Sequence, residues 1–227
     1  MPPSLTALVT GANRGLGLAV AAELHTRGHR VLLAARDEEA AAKAAATLGA
    51  LAVPLALDVT DQESVDGAVA RAGSVDILVN NAGVQLDWGE APSTIGLDLV
   101  RRTLDVNLLG AWRMAQALLP GMVGRGWGRV VNVSSGAASF AYGPAAQCPA
   151  YSASKTALNA LTVMLAKETE GTGVLVNSVN PGLVRTRMRP DAPQSPEDAA
   201  RRIADAATLP GDGPSGAFLR GEGTMPW

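Results

Sequence analysis

In the stretch PAYSASKTAL, residues 149–158, a tyrosine stands four residues before a lysine, in a chain of 227 residues with only two tyrosines and three lysines. On a helix, residues i and i+4 share a face and can act on one object. Tyr151 and Lys155 would then set a phenol beside an ammonium. A free phenol titrates near 10, and a cation within ~4–6 Å favours the phenolate and draws that value down. Such a pair can pass a proton near neutral pH. Histidine, the usual proton carrier, is confined to His25 and His29, which flank Gly28 at the expected end of a helix and read as surface residues. Cys148 is the only cysteine, so no intrachain disulfide and no cysteine-rich metal site can form. No metal is expected.

A second stretch, TGANRGLG at residues 10–17, joins an apolar run to a helical one. Its glycines, Gly11, Gly15 and Gly17, would let backbone N–H groups approach a pyrophosphate, whose charge is favoured at a helix N-terminus. The spacing G-x-x-x-G-x-G differs from the G-x-G-x-x-G dinucleotide fingerprint. The plainer alternative is a tight structural turn.

The elements that must hold these groups are readable. Strands are expected at 5–9, 30–35, 51–57, 75–80, 128–134, 173–179 and 216–220, as nearly continuous apolar runs typical of parallel strands buried on both faces. Pro54 inside the third predicts a bulge or a strand end. Asp37 and Ser195 read as helix N-caps, the latter followed by Pro196 and Asp198. Residues 93–124 hold one long or two consecutive helices with Pro120 near a break. In the helix from Tyr151, Ala153, Ala157, Leu158, Leu161 and Leu165 form a stripe. The alternation predicts one α/β domain over 1–227, a Rossmann-type doubly wound parallel sheet of about seven strands with helices on both faces.

Hydrophobic residues make up 47% of the chain and charged ones 18%, with net charge −2 and no dense basic run. Neither nucleic acid nor an anionic membrane is an expected partner. No apolar stretch reaches the ~18–20 residues of a membrane span, and no signal-peptide pattern precedes the first strand, so a cytoplasmic protein is expected. Arg185, Arg187 and Arg189 form the one basic cluster, read as a solvated loop face in preference to a substrate clamp.

In order along the chain, TGANRGLG, NNAG (80–83), the asparagine of DVNLLG, VNVSS (131–135), YSASK and NPGLVRT (180–186) resemble the short-chain dehydrogenase/reductase family. The likeness spans about Leu5 to Arg220 and is nearest to the NADPH-dependent carbonyl reductases. It implies a nicotinamide cofactor and a catalytic set of Ser135, Tyr151, Lys155 and Asn107. In that set Tyr151 exchanges a proton and Lys155 tunes it and holds the nicotinamide ribose. Ser135 donates to the substrate oxygen, and Asn107 holds a water linked to the lysine. Ser134 competes with Ser135, since adjacent strand residues face opposite ways and only one can serve; the family pattern selects Ser135. The cofactor contacts implied are Gly11, Asn13, Arg14, Gly15, Leu16 and Gly17 in the first loop, and Asp58 and Val59 for the adenine. Asn81, Ala82 and Gly83 follow beside the adenosine, then Pro181, Gly182, Val184 and Thr186 near the carboxamide. Arg36 after the second strand, with Arg14, suits a 2′-phosphate, so NADP(H) is preferred and NAD(H) is the second reading.

Two departures bear on substrate. Ser135 and Tyr151 are sixteen residues apart, where many family members have thirteen, so the loop at 136–150 is enlarged. The lid after NPGLVRT is short. With the loops at about 84–97 and 183–197, the pocket wall is expected from Trp88, Phe140, Tyr142, Cys148, Leu183 and Met188. The reading is interconversion of a ketone or aldehyde with an alcohol, on a small-molecule carbonyl substrate. The alternative is a non-catalytic NADP(H)-binding sensor or partner-binding module. Relatives commonly pair through their helices, so the resemblance implies a homodimer or homotetramer. A hydrolase is disfavoured by the absence of a G-x-S-x-G elbow.

Overall fold

The computed structural model describes residues 4–221 and 223–227. Each apolar run becomes a parallel strand: β1 (Thr6–Thr10), β2 (Arg30–Ala35), β3 (Ala52–Ala56), β4 (Ile77–Asn80), β5 (Gly128–Val133), β6 (Val174–Val179) and β7 (Phe218–Arg220). A short antiparallel strand, β8 (Gly223–Thr224), adds an eighth at the edge, in the order β3-β2-β1-β4-β5-β6-β7-β8. The helices are α1 (Gly15–Thr26), α2 (Glu38–Ala46), α3 (Gln62–Ala72), α4 (Leu97–Leu104), α5 (Gly110–Arg125), α6 (Pro149–Glu168) and α7 (Pro196–Ala207).

The strands are apolar throughout because both faces are covered. Leu8, Leu32, Leu78, Val130 and Val176 lie in one register row and pack under α3, α5 and α6. Their neighbours one residue on, Val9, Leu33, Val79 and Val131, pack under α1, α2 and α7. This is the period-2 alternation of a pleated strand, with no polar face to reveal it in sequence. The strand order reverses between β1 and β4, the place where open α/β sheets bind ligands.

Several expectations are corrected. Pro54 neither bulges nor ends its strand: it sits mid-strand opposite Leu33 in β3, an edge strand where a missing N–H faces no partner. Pro120 lies inside α5. The interruption falls earlier, in a π-helical turn at Asp105–Leu109 that joins α4 to α5 and carries Asn107. His29 is buried, not at the surface, because its Nδ1 accepts the Leu5 N–H at 3.3 Å and closes the turn into β2. Burial and then the nearby Arg27 charge lower its pKa. On α6, Leu158, Leu161 and Leu165 are buried as expected, but Ala153 is exposed and Ala157 half-exposed. The caps are as read: Asp37 accepts from Ala40 N at 3.0 Å and Ser195 from Asp198 N at 3.1 Å.

Candidate active site

The C-terminal strand ends open onto a cavity of about 950 Å³, at the upper end of ordinary ligand pockets. Its floor on the β1 side is the glycine turn. A Cβ on Gly17 would lie 2.4 Å from the Gly11 carbonyl oxygen, so α1 packs on the turn only because Gly17 has no side chain. Asn81 ties this turn to the end of β4. Its side-chain amide donates to Thr10 O at 2.8 Å and Gly11 O at 3.3 Å, and its own N–H donates to the Thr10 hydroxyl at 3.0 Å. The turn is therefore a braced platform with its backbone bared to the cavity. A Cβ on Gly15 would meet nothing nearer than Thr186, at 3.8 Å. This cradle suits a dinucleotide's pyrophosphate.

On the β5 side, Tyr151, Lys155 and Ser135 all line the same cavity. Lys155 is buried, its Nζ 5.9 Å from the Tyr151 ring centroid and donating to Val133 O at 2.8 Å. Burial holds its pKa down at about 8. The Tyr151 phenol moves up rather than down. Burial dominates, the charges of Cys148 and Asp87 add to it, and the Ser135 hydrogen bond and the Arg189 charge only partly offset them. This departs from the expectation that Lys155 brings the phenol into the neutral range: the ammonium is aimed at the β5 carbonyl. Ser135 occupies the N-cap of a short 3-10 turn and accepts from Ala137 N at 3.2 Å. Ser134 is buried under α6, its hydroxyl directed to Lys155 O.

Asn107 is buried behind these groups and does not line the cavity. Its Oδ1 accepts from Val84 N at 2.8 Å, and its Nδ2 donates to Val84 O and Ser154 Oγ, each at 2.9 Å. One side chain thereby locks the segment after β4 to α6 at Ser154, the residue before Lys155. The π turn, a feature frequent at functional sites, presents it inward.

A family model described as short chain dehydrogenase matches residues 5–197. The chain belongs to that family. It is an NAD(P)-dependent oxidoreductase. The dehydrogenase is 38% identical over 186 residues to the 3-oxoacyl-[acyl-carrier-protein] reductase FabG of Vibrio harveyi, covering 80% of this chain and 74% of that one. It is 37% identical over 220 residues to oxidoreductase UcpA of Salmonella typhimurium, covering 90% and 80%. Among solved structures it superposes with TM-score 0.88 and 27% identity on the 3-ketoacyl-(acyl-carrier-protein) reductase of Brucella melitensis complexed with NADH, covering 95% and 96%. It is also similar to serine dehydrogenase from Escherichia coli, at TM-score 0.85 and 30% identity over 95% and 96% of the two chains.

Of the residues expected at the dehydrogenase's cofactor site, every one lines the cavity, from Gly11 to Thr186. Asp58 is anchored by Thr60, whose N–H and hydroxyl donate at 2.9 and 2.7 Å. Burial acts to raise its pKa, but these bonds and the Arg36 and Arg113 charges outweigh it and hold the carboxylate below its usual range. Of the expected substrate wall, Trp88, Cys148, Leu183 and Met188 line the cavity. Phe140 and Tyr142 do not, and both are exposed. The reason is a clasp by the C-terminal segment: Ser139 Oγ donates to Pro226 O at 2.8 Å and Ala141 N to Trp227 O at 3.1 Å, while Trp227 stacks on Phe218. The enlarged loop instead contributes Gly143, Ala145 and Gln147. Arg187 and Arg189 line the cavity too, against the reading of a wholly solvated arginine face.

Asp87 escaped the sequence. It is fully buried, and its Oδ2 accepts from Ala150 N at 2.6 Å and Tyr151 N at 3.1 Å, capping α6 from another loop. A signal was present: Cys148, at the N-cap position, makes no side-chain cap, so the first N–H groups of α6 needed an acceptor from elsewhere. Asp87→Ala is expected to cost about 2 kcal/mol of stability, from the lost cap and orphaned N–H groups. It should also lower kcat more than it changes KM, because Tyr151 sits in the freed turn. Urea unfolding and steady-state kinetics check both.

Proposed function

We propose that the dehydrogenase reduces a ketone or aldehyde to an alcohol with NADPH, Tyr151 giving the proton. The observation that carries this is the convergence of Tyr151, Ser135 and Lys155 on one cavity beside the glycine cradle. Bound NADPH would supply the hydride to the carbonyl carbon. The carbonyl oxygen would take the Tyr151 proton, giving alcohol and oxidised cofactor. Ser135 would donate to that oxygen as its negative charge grows. A phenol raised by burial stays protonated at neutral pH, which suits a donor and the reductive direction. Lys155 would bind the cofactor ribose and pass on the replacement proton from a water held by Asn107.

The ketoacyl reductases among its relatives support an oxo substrate. NADP(H) over NAD(H) is supported by Arg14 and Arg36 both lining the cavity, while the carboxylate of Asp37 is occupied at its helix cap. Exposed apolar residues along the helices, Trp112 on α5 and Met164 on α6, favour a homodimer or homotetramer. The sensor alternative gains no support.

The test is Tyr151→Phe. Turnover over a carbonyl panel, followed by NADPH oxidation, should fall more than a hundredfold while NADPH still binds. Wild-type turnover in that variant sinks the reading. For the cofactor, Arg36→Asp should lower kcat/KM for NADPH ten- to hundredfold, the scale of one charge-assisted contact, and raise that for NADH.

A further inference from the structure

The loops after β4 and after β6 meet above the end of β5, and their contact is an arginine on a tryptophan. The Arg189 guanidinium carbon lies 4.7 Å from the Trp88 ring centroid, and both residues line the cavity. Arg189 is held from its backbone: its N–H donates to Thr186 O at 3.1 Å and its carbonyl accepts from Thr186 N at 3.3 Å, closing a tight hairpin. Among the described residues no carboxylate pairs with it. The guanidinium lies over the ring, and none of the donors in its planar N–H fork makes a hydrogen bond among the described residues. Such a fork matches a carboxylate bidentately. Arg189 and Tyr151 line the same cavity, so an anion bound to this fork shares it with the reacting carbonyl. The cations suited to the cofactor's 2′-phosphate, Arg14 and Arg36, follow β1 and β2, on the other side of the sheet's switch point.

We infer that Arg189, braced on Trp88, is a carboxylate-recognition site, and that the substrates are short oxo acids whose carboxylate stands a few bonds from the carbonyl. This rests on the carbonyl-reduction reading above.

The experiment compares each acid with its uncharged methyl ester: 2-oxobutanoate, acetoacetate and levulinate. The readouts are NADPH oxidation and, separately, calorimetric titration of each acid into the protein saturated with NADP⁺. Wild type should favour the acid in at least one pair. Arg189→Met should lower kcat/KM for that acid about ten- to hundredfold, through KM, while leaving its ester and the KM for NADPH within about threefold. Arg189→Lys should recover part of the loss. Arg185→Met, which removes an exposed lid charge outside the cavity, should change neither. Preference for the esters, equal losses for acid and ester, or a tenfold loss of NADPH affinity in Arg189→Met overturns the inference. So does failure of every acid to bind. Saturable binding of an acid that Arg189→Met abolishes, with no turnover of any pair, leaves the anion site standing and sinks carbonyl reduction instead.

Discussion

Lys155→Met is expected to make the protein more stable at pH 7 while stopping its chemistry. The residue is 4% exposed, and burial lowers its ammonium pKa from 10.5 to about 8. Keeping that charge in the folded state at pH 7 costs about 3 kcal/mol. Methionine has similar length and no charge. It gives up the bond to Val133 O, worth about 1 kcal/mol, so the net gain is about 2 kcal/mol. Below pH 8 both folded and unfolded chains carry the proton, and the cost is present in full. Between pH 8 and 10.5 the folded protein releases it first, the unfolded chain binds more protons, and wild-type stability climbs with pH. The advantage of the variant should therefore shrink across that window, disappear before pH 10.5 and leave the variant about 1 kcal/mol the less stable there. Urea midpoints of both proteins at pH 7, 9 and 10.5 measure it; a variant less stable at every pH would show that Lys155 is a structural anchor only. Turnover should fall more than a hundredfold. A residue that weakens the fold while serving the site is a strained investment in function.

What could be read beforehand follows how local each feature is. Asp37 and Ser195 cap helices through bonds to residues three positions away, so their sequence neighbourhoods contain the whole interaction. The register rows of the sheet follow from apolar runs of strand length, and the glycine turn from spacing alone. The direction of the Tyr151 shift was not legible, because it depends on how deeply α6 presses against β5 rather than on the four-residue spacing. Asn107 was visible by resemblance, but not the π turn that presents it. That turn sits where α4 passes into α5, eleven residues before Pro120, the residue at which the sequence suggests the break. Asp87 caps a helix 63 residues further along. The Trp88–Arg189 contact joins loops from two strands that flank a third. Neither has a signature short enough to stand in one window of sequence.

Gly17→Ala should be more damaging than its single methyl suggests, and its contrast with Gly15→Ala separates the two tasks of the glycine turn. The added carbon on residue 17 would lie 2.4 Å from Gly11 O and 2.5 Å from the Asn81 amide nitrogen, inside the bond that ties the turn to β4. Gly11 O is backbone and the Asn81 Nδ2 is held by its bonds to Thr10 O and Gly11 O, so α1 must move off the sheet. Overpacking of this kind costs about 3 kcal/mol. Gly15 has open space at its Cβ but a φ of +54°, so alanine there costs about 1 kcal/mol of backbone strain. That carbon would project into the cradle itself. Urea unfolding should rank Gly17→Ala well below Gly15→Ala in stability. NADPH fluorescence titration should show affinity falling at least tenfold in both, although Gly15→Ala remains nearly as stable as wild type. Undiminished NADPH binding by a folded Gly15→Ala protein would mean that the cofactor does not lie against this turn. The bared backbone would then need another ligand, so this one substitution tests whether the turn was built to be approached or only to be tight.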